Sequence, residues 1–372
     1  MGIVAFNYKE LSCRIPKYYI LFIGFVIFCT IWNIGTVKIS SFIYTIIISA
    51  ELLILSNLLS KSNLKSLIAV LKGIILTYFI NVFITTFFIL KQITPPGFLS
   101  SIFQIYKDPT GQIRPFGFSN EPSYAAIILV FVLVVFLRLN KYILQKKDYK
   151  WYAFAILTIL LIKSSYGYMF LGAFLIHALY KTGFLRKHLI KLISVITLTA
   201  IIITFFNFKK IIENKAVTRI IKLNEAFFQT KGDLVDRVNA MTYIDGSAAM
   251  RLFPTVLLID YYKTCKVSKM LFGNGAGQAT KFYTKKFQGN KTELGLFPAF
   301  IYNYGIIGTI VAFLFFYALF PKRKLLHFSL FFLFCFNADF NTQIFQFILF
   351  TAMLAKFIDN QTEEATKITI TN

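Results

Sequence analysis

The sequence predicts an all-α polytopic membrane protein with about ten transmembrane helices and a large extracytoplasmic loop between helices seven and eight. Three observations lead there. Hydrophobic residues make up 57% of the chain and charged residues only 15%, well below the roughly 25% charge of a soluble domain. The apolar residues come in blocks long enough to cross a hydrocarbon core, which takes about 20 helical residues. The apolar–polar alternation of a membrane barrel strand is missing, so helices are the spanning element, because lipid offers backbone groups no other partner.

The first apolar block, 18–35, follows a basic, polar start (Lys9, Arg14, Lys17) with no small-residue cleavage site behind it, and reads as a retained helix. Blocks at 39–60, 66–90 and 122–138 follow. Two shorter blocks, 151–163 and 166–180, meet at Lys163, Ser164, Ser165, Tyr166 and Gly167; short paired segments turn within a protein-lined cavity. Blocks at 188–206, 297–320, 325–337 and 343–358 complete a single membrane domain over residues 1–372. The polar tail from Asp359 to Asn372 is expected to be loose.

Threading the blocks from an internal N-terminus puts Lys61, Lys65, Arg138, Lys141, Lys146, Lys147, Lys150, Lys181, Arg186, Lys187, Lys322, Arg323 and Lys324 on the cytoplasmic side, as the positive-inside rule requires. Most of the formal charge of +24 is therefore topology, which argues against nucleic acid as a partner. Two segments fall outside: 91–121 and 207–296. The longer carries fifteen Lys and Arg against seven Asp and Glu, an excess that suits either simple solvation or an anionic partner at the outer leaflet. The four cysteines (Cys13, Cys29, Cys265, Cys335) have neither metal nor redox spacing.

Several short motifs lie in or beside the outer segments. Arg114, Gly117, Glu121, Pro122, Ser123 and Tyr124 precede the fourth block, with Pro122 suited to a first helical turn. A helix start explains the proline; it does not explain an Arg and a Glu converging among aromatics at a membrane face. In the long loop, Ser247 and Arg251 precede an amphipathic helix expected over Pro254 to Lys263, and then Gly273, Gly275 and Gly277. These glycines fit neither the P-loop nor the dinucleotide fingerprint and read as a tight turn, with an anion at its backbone amides as the alternative. Asn303, Tyr304, Gly305 and Gly308 lie inside the eighth block, where small residues mean close helix packing.

Taken in order, Arg-x-x-Gly-x-x-x-Glu-Pro-Ser from Arg114 to Ser123, Ser-x-Gly from Ser165 to Gly167, Ser-x-x-x-Arg from Ser247 to Arg251, Gly-x-Gly from Gly273 to Gly275 and Asn-Tyr-Gly-x-x-Gly from Asn303 to Gly308 resemble the O-antigen ligase and polymerase superfamily of bacterial envelope glycan enzymes. The Glu-Pro-Ser form looks closer to the polymerases, and the resemblance spans roughly residues 60 to 355. It implies transfer of an oligosaccharide from undecaprenyl diphosphate to an acceptor sugar at the outer face of the bacterial cytoplasmic membrane, with no metal or other cofactor and with room for a chain-length regulator protein as partner; the threading puts both termini on the cytoplasmic side. It makes Arg251 and Arg114 the diphosphate ligands, since a guanidinium grips phosphate oxygens with two bonds. Arg219, Arg237 and Lys163 are second choices. Glu121 reads either as the base for the acceptor hydroxyl or as the residue that orients Arg114. Tyr124, Tyr166 and Tyr302 read as sugar-stacking rings or as an interfacial belt.

Two departures stand out. Family members often carry an arginine after the serine of the short helix pair, where this chain has Tyr166. Ligase-like members use a histidine in the large loop, whereas the three histidines here, His177, His188 and His327, fall near the cytoplasmic side, favouring the polymerase branch over the ligase. A transporter or flippase is the competing reading, on the strength of Glu51 within the second block, although pairing with Lys72 is a plain structural account of it.

Overall fold

The computed structural model describes residues 16–60, 64–107, 113–115, 117–119, 121–140, 148–181, 215–286, 295–321, 325–335 and 342–371. The protein is a helical membrane protein. Four described helices are long and apolar enough to span: α2 (Ile39–Ser60), α3 (Leu64–Lys91), α5 (Pro122–Asn140) and α12 (Leu296–Leu319). Three are apolar but shorter: α1 (Lys17–Trp32), α6 (Tyr149–Ile162) and α7 (Ser165–Lys181). α13 (Leu325–Phe334) and α14 (Gln343–Thr371) close the chain. The expected span 188–206, with His188, lies outside the described residues.

α5 is the central post. It opens on Pro122, whose missing N–H is no loss at a first turn, and carries no charge until Arg138. Every residue from Phe131 to Phe136 is buried, so neighbours cover it on all sides. It packs on α14, α7, α6 and α3.

Contacts between helix ends define two faces. At the first face Thr36, in the α1–α2 turn, donates to Asn274 O at 3.0 Å, Asn81 on α3 donates to Ile102 O at 2.7 Å, and Phe297 N donates to Cys335 O at 3.1 Å. At the second face Lys72 pairs with Asp148, and Arg138 with Asp359, each at 2.6 Å, while Lys356 donates to Ala318 O. The described residues of 95–121, the turn at 163–165 and the glycine loop at 273–276 gather at the first face.

Both long segments between the apolar blocks contain helix or strand among their described residues. The shorter holds α4 (Leu99–Ile102) and an antiparallel hairpin of β1 (Ile105–Lys107) and β2 (Ile113–Pro115), which pairs Tyr106 with Arg114. The longer holds α8 (Lys215–Gln229), α9 (Leu234–Thr264), α10 (Val267–Phe272) and α11 (Gln278–Lys286). Val238, Met241, Phe253, Leu257 and Tyr283 form its own core, which continues into α12 through Ala299 and Tyr302.

Three expectations are corrected. The helix expected over 254–263 is the end of α9, which starts at a capping box of Asp233 and Asp236 and runs through a buried Pro254. The tail expected to be loose continues α14 as helix to Thr371; extending a nucleated helix through Glu363, Glu364 and Ala365 is far easier than starting one. Lys72 pairs with Asp148 and not with Glu51.

Candidate functional site

The first-face site is built around the start of α5. Gly117, at φ +63°, turns the chain after β2 so closely over Tyr78 that a Cβ would stand 3.0 Å from its ring. Phe118 then meets Tyr78 edge to face. This fold-back sets β2 beside α3 and α6, and Arg114 Nη1 donates to Lys163 O at 3.1 Å. The Arg114 segment and the turn of the short helix pair, 49 residues apart in sequence, are thus joined.

That turn has its own local logic. Lys163 ends α6 in the left-handed conformation (φ 54°, ψ 41°), which a non-glycine residue adopts at some cost. Ser164 Oγ then accepts from Gly167 N at 3.1 Å, an N-cap for α7. Gly167 allows α7 to touch α5, since a Cβ there would lie 2.4 Å from Ala126 Cβ. Glu121 sits one residue before α5, half-buried; its Oε2 accepts from Ser123 Oγ at 2.9 Å and its carbonyl from Ser119 Oγ at 2.7 Å. A carboxylate fixed by a neighbouring hydroxyl is aimed by its own helix start.

The second assembly is a broken helix. α12 is interrupted at Gly305 (φ 70°, ψ −176°), which removes the i+4 donors from the carbonyls just before it. The glycine loop replaces them: Asn274 N donates to Tyr302 O at 3.0 Å and Gly275 N to Asn303 O at 2.9 Å. Asn303 Oδ1 in turn accepts from Ala279 N at 2.8 Å. The backbones touch so closely that a Cβ on Gly273 would stand 2.3 Å from Asn303 O, and one on Gly305 2.2 Å from Leu271 O. The amides of Asn274 and Gly275 are therefore donors to main-chain carbonyls, not an anion cradle, and Gly305 serves a loop-to-helix contact rather than helix packing. Gly308 does pack against a helix, with Phe25 of α1 at its face. The loop is also fastened to the α1–α2 turn, through Lys38 N to Ala276 O at 2.9 Å and Lys269 Nζ to Asn33 Oδ1 at 2.6 Å.

The tyrosines expected to stack on sugars or to form an interfacial belt differ in their surroundings. Tyr302 is buried and stacks on Phe282 at 4.5 Å within the loop-domain core. Tyr166 donates its hydroxyl to Leu333 O at 3.1 Å and sets its ring against Phe170. Tyr124 is half-buried against the main core. Burial raises the pKa of Tyr262 and Tyr283 in the loop domain, so these phenols stay neutral hydrogen-bond donors to Ile301 O and Pro298 O.

Arg237 is half-buried in α9, its Nε enclosed without a hydrogen-bond acceptor. The backbones of Arg219 and Arg251 lie in α8 and α9; their side chains lie outside the described residues. The juxtaposition of Arg114 with Arg251 expected from sequence is accordingly not among the described contacts. Among the described residues no group of three His, Cys, Asp or Glu side chains is arranged to hold a metal. Sequence reasoning missed the hairpin under Arg114 and the break at Gly305; the only signal for the latter was a glycine following Asn303 and Tyr304 in an otherwise apolar run. Comparison of the chain with family models, curated proteins and solved structures gives no match.

Proposed function

We propose that this protein is a polysaccharide polymerase of the O-antigen ligase and polymerase superfamily. It transfers an undecaprenyl-diphosphate-linked oligosaccharide onto another lipid-linked repeat unit at the outer face of the bacterial cytoplasmic membrane. The first face is the outer one, because the loops at the second carry the lysines and arginines that stay inside. One observation carries the reading: motifs that the resemblance names separately meet in pairs at one face. Arg114 holds the turn of Ser165 and Gly167 through Lys163 O, and the glycine loop closes the break in Asn303 to Gly308.

In this reading an acceptor hydroxyl attacks the anomeric carbon of the donor, the bond from that carbon to the phosphate oxygen breaks, and the electron pair leaves with the lipid diphosphate. Arg114, aimed by a carbonyl, stabilises the charge growing on that oxygen, and Arg251 joins it from α9. Glu121 accepts the hydroxyl proton or orients Arg114. Tyr124 and Tyr166, half-buried beside the start of α5, are the rings that would stack on sugars, while Tyr302 is buried in the loop-domain core.

The test is reconstitution. Purified protein given lipid-linked repeat units, with no nucleotide sugar or metal added, should produce longer lipid-linked glycans. Unchanged single repeats would remove the polymerase assignment, and transfer to a lipid-core acceptor without lengthening would move the protein to the ligase branch.

A further inference from the structure

α12 and α13 follow one another across a short turn, yet α13 lays its backbone on α5 and α7 and reaches α12 through aromatic rings. Phe332 meets Phe297 at 5.0 Å, Phe331 meets Phe313 at 6.2 Å and Phe328 meets Tyr317 at 5.7 Å. Bridged in this way, the pair leaves a groove of about 400 Å³ lined by Phe297, Ile310, Phe313, Leu314 and Tyr317 of α12 and Phe328 of α13. That volume falls within the range of small-ligand sites, roughly 300 to 1000 Å³. The wall presents no polar surface, and the hydroxyl of Thr309, which also lines it, donates to Gly305 O at 2.8 Å. Water gains nothing by entering such a space.

Depth indicates what fills the groove. α12 is long and apolar enough to span, and Thr309 to Tyr317 lie beyond the break at Gly305 that the glycine loop holds at the first face. At 1.5 Å per residue they stand about 6 to 18 Å below that face, inside a hydrocarbon core about 30 Å thick. Ile310, Leu314 and Tyr317 are 55%, 39% and 45% exposed, so the groove opens to the side at this depth, where the medium is acyl chain. The outer side of α1, with Ile20 and Ile31 60% and 65% exposed, meets the same medium on one helix. A chain lying between α12 and α13 touches two, and dispersion attraction grows with the number of atoms packed against it.

We infer that the groove holds one acyl chain of a bilayer phospholipid, wedged between α12 and α13 as part of the packing of the two helices. The inference uses the membrane assignment and not the catalytic one. Its test is photolabelling of the full-length protein in nanodiscs that contain phosphatidylcholine with a diazirine at mid-chain. Label per residue at 309–317 and at Phe328 should exceed that at 20–31 of α1 by at least about fivefold. Equal labelling would make the groove an ordinary lipid boundary, and no labelling would mean that protein covers it. Loss of label on adding one equivalent of polyprenyl monophosphate would give the groove to the chain of a glycan donor. Each of these three results overturns the proposal. Ile310→Trp, which fills the groove from its open side and leaves the ring contacts in place, gives a second readout: label at Phe328 should fall severalfold while label on α1 is unchanged. Full labelling of Phe328 in that variant likewise overturns it.

Discussion

Two arginines stand at opposite ends of α5 and are held in different ways. Arg138, in the last turn, meets the carboxylate of Asp359 at 2.6 Å, with the two side chains only 11% and 14% exposed. Arg114, on the hairpin over the first turn, donates to the peptide carbonyl of Lys163 at 3.1 Å. A carboxylate neutralises a guanidinium, and once buried the pair is costly to break; the carbonyl of Lys163 fixes where one Nη of Arg114 points. The contrast is one of placement: Arg138 ties two helices together at one face, and Arg114 ties the hairpin to the turn of the short helix pair at the other.

The largest effect tests that contrast directly. If Arg114 acts on the leaving diphosphate, Arg114→Ala should lower chain extension about 1000-fold, roughly 4 kcal/mol of transition-state stabilisation, while the melting temperature in detergent stays within a few degrees. Arg114→Lys should be nearly as damaging, because an ammonium lacks the planar fork. Polymer of normal length from both variants would remove Arg114 from the chemistry. Next comes the break in α12: Gly305→Ala places a methyl against Leu271 O at a positive φ and should cost about 3 kcal/mol or more, read as loss of folded protein in thermal unfolding.

The Arg138–Asp359 pair should behave oppositely to Arg114. Either single alanine variant strands a buried charge and should destabilise by about 3 kcal/mol, with extension per folded molecule retained. The double alanine variant should recover part of that loss, and simple additivity would show that the ion pair is not a coupled unit.

The sequence made one level of this architecture plain and hid another. Runs such as Ile127 to Leu137 announce a buried helix by hydropathy alone. Contacts between turns are another matter, because nothing in a three-residue strand such as Ile113 to Pro115 alternates long enough to be read. The break at Gly305 escaped for a related reason: hydropathy does not change across it, and the donors that satisfy Tyr302 O and Asn303 O come from Asn274 and Gly275, about thirty residues earlier. Pro254 misled because proline marks a helix start in most settings, whereas here the buried packing around Phe253 and Leu257 carries the helix through it. Tyr302 looked like a surface ring because the aromatic partners that bury it, Phe282 and Tyr283, belong to the long loop. The candidate site was legible as a set of motifs, and which motif touches which was not.

The smallest predicted effect reaches Arg114 through its acceptor. Gly167 lets α7 lie against α5, and a Cβ there would overlap the methyl of Ala126 at 2.4 Å. Gly167→Ala should therefore push the first turn of α7 away from α5, costing about 1 to 2 kcal/mol of stability. The turn also carries Lys163 O, so the same shift moves the carbonyl that aims Arg114. Extension should slow through the chemical step, with substrate binding nearly unchanged, since misplacement by about an ångström acts mainly on the transition state. Ala126→Gly removes the methyl that Gly167→Ala strikes, so the double variant should regain both stability and rate. Failure of that rescue, with the single variants behaving as independent lesions, would show that the contact between α5 and α7 does not govern the position of Arg114.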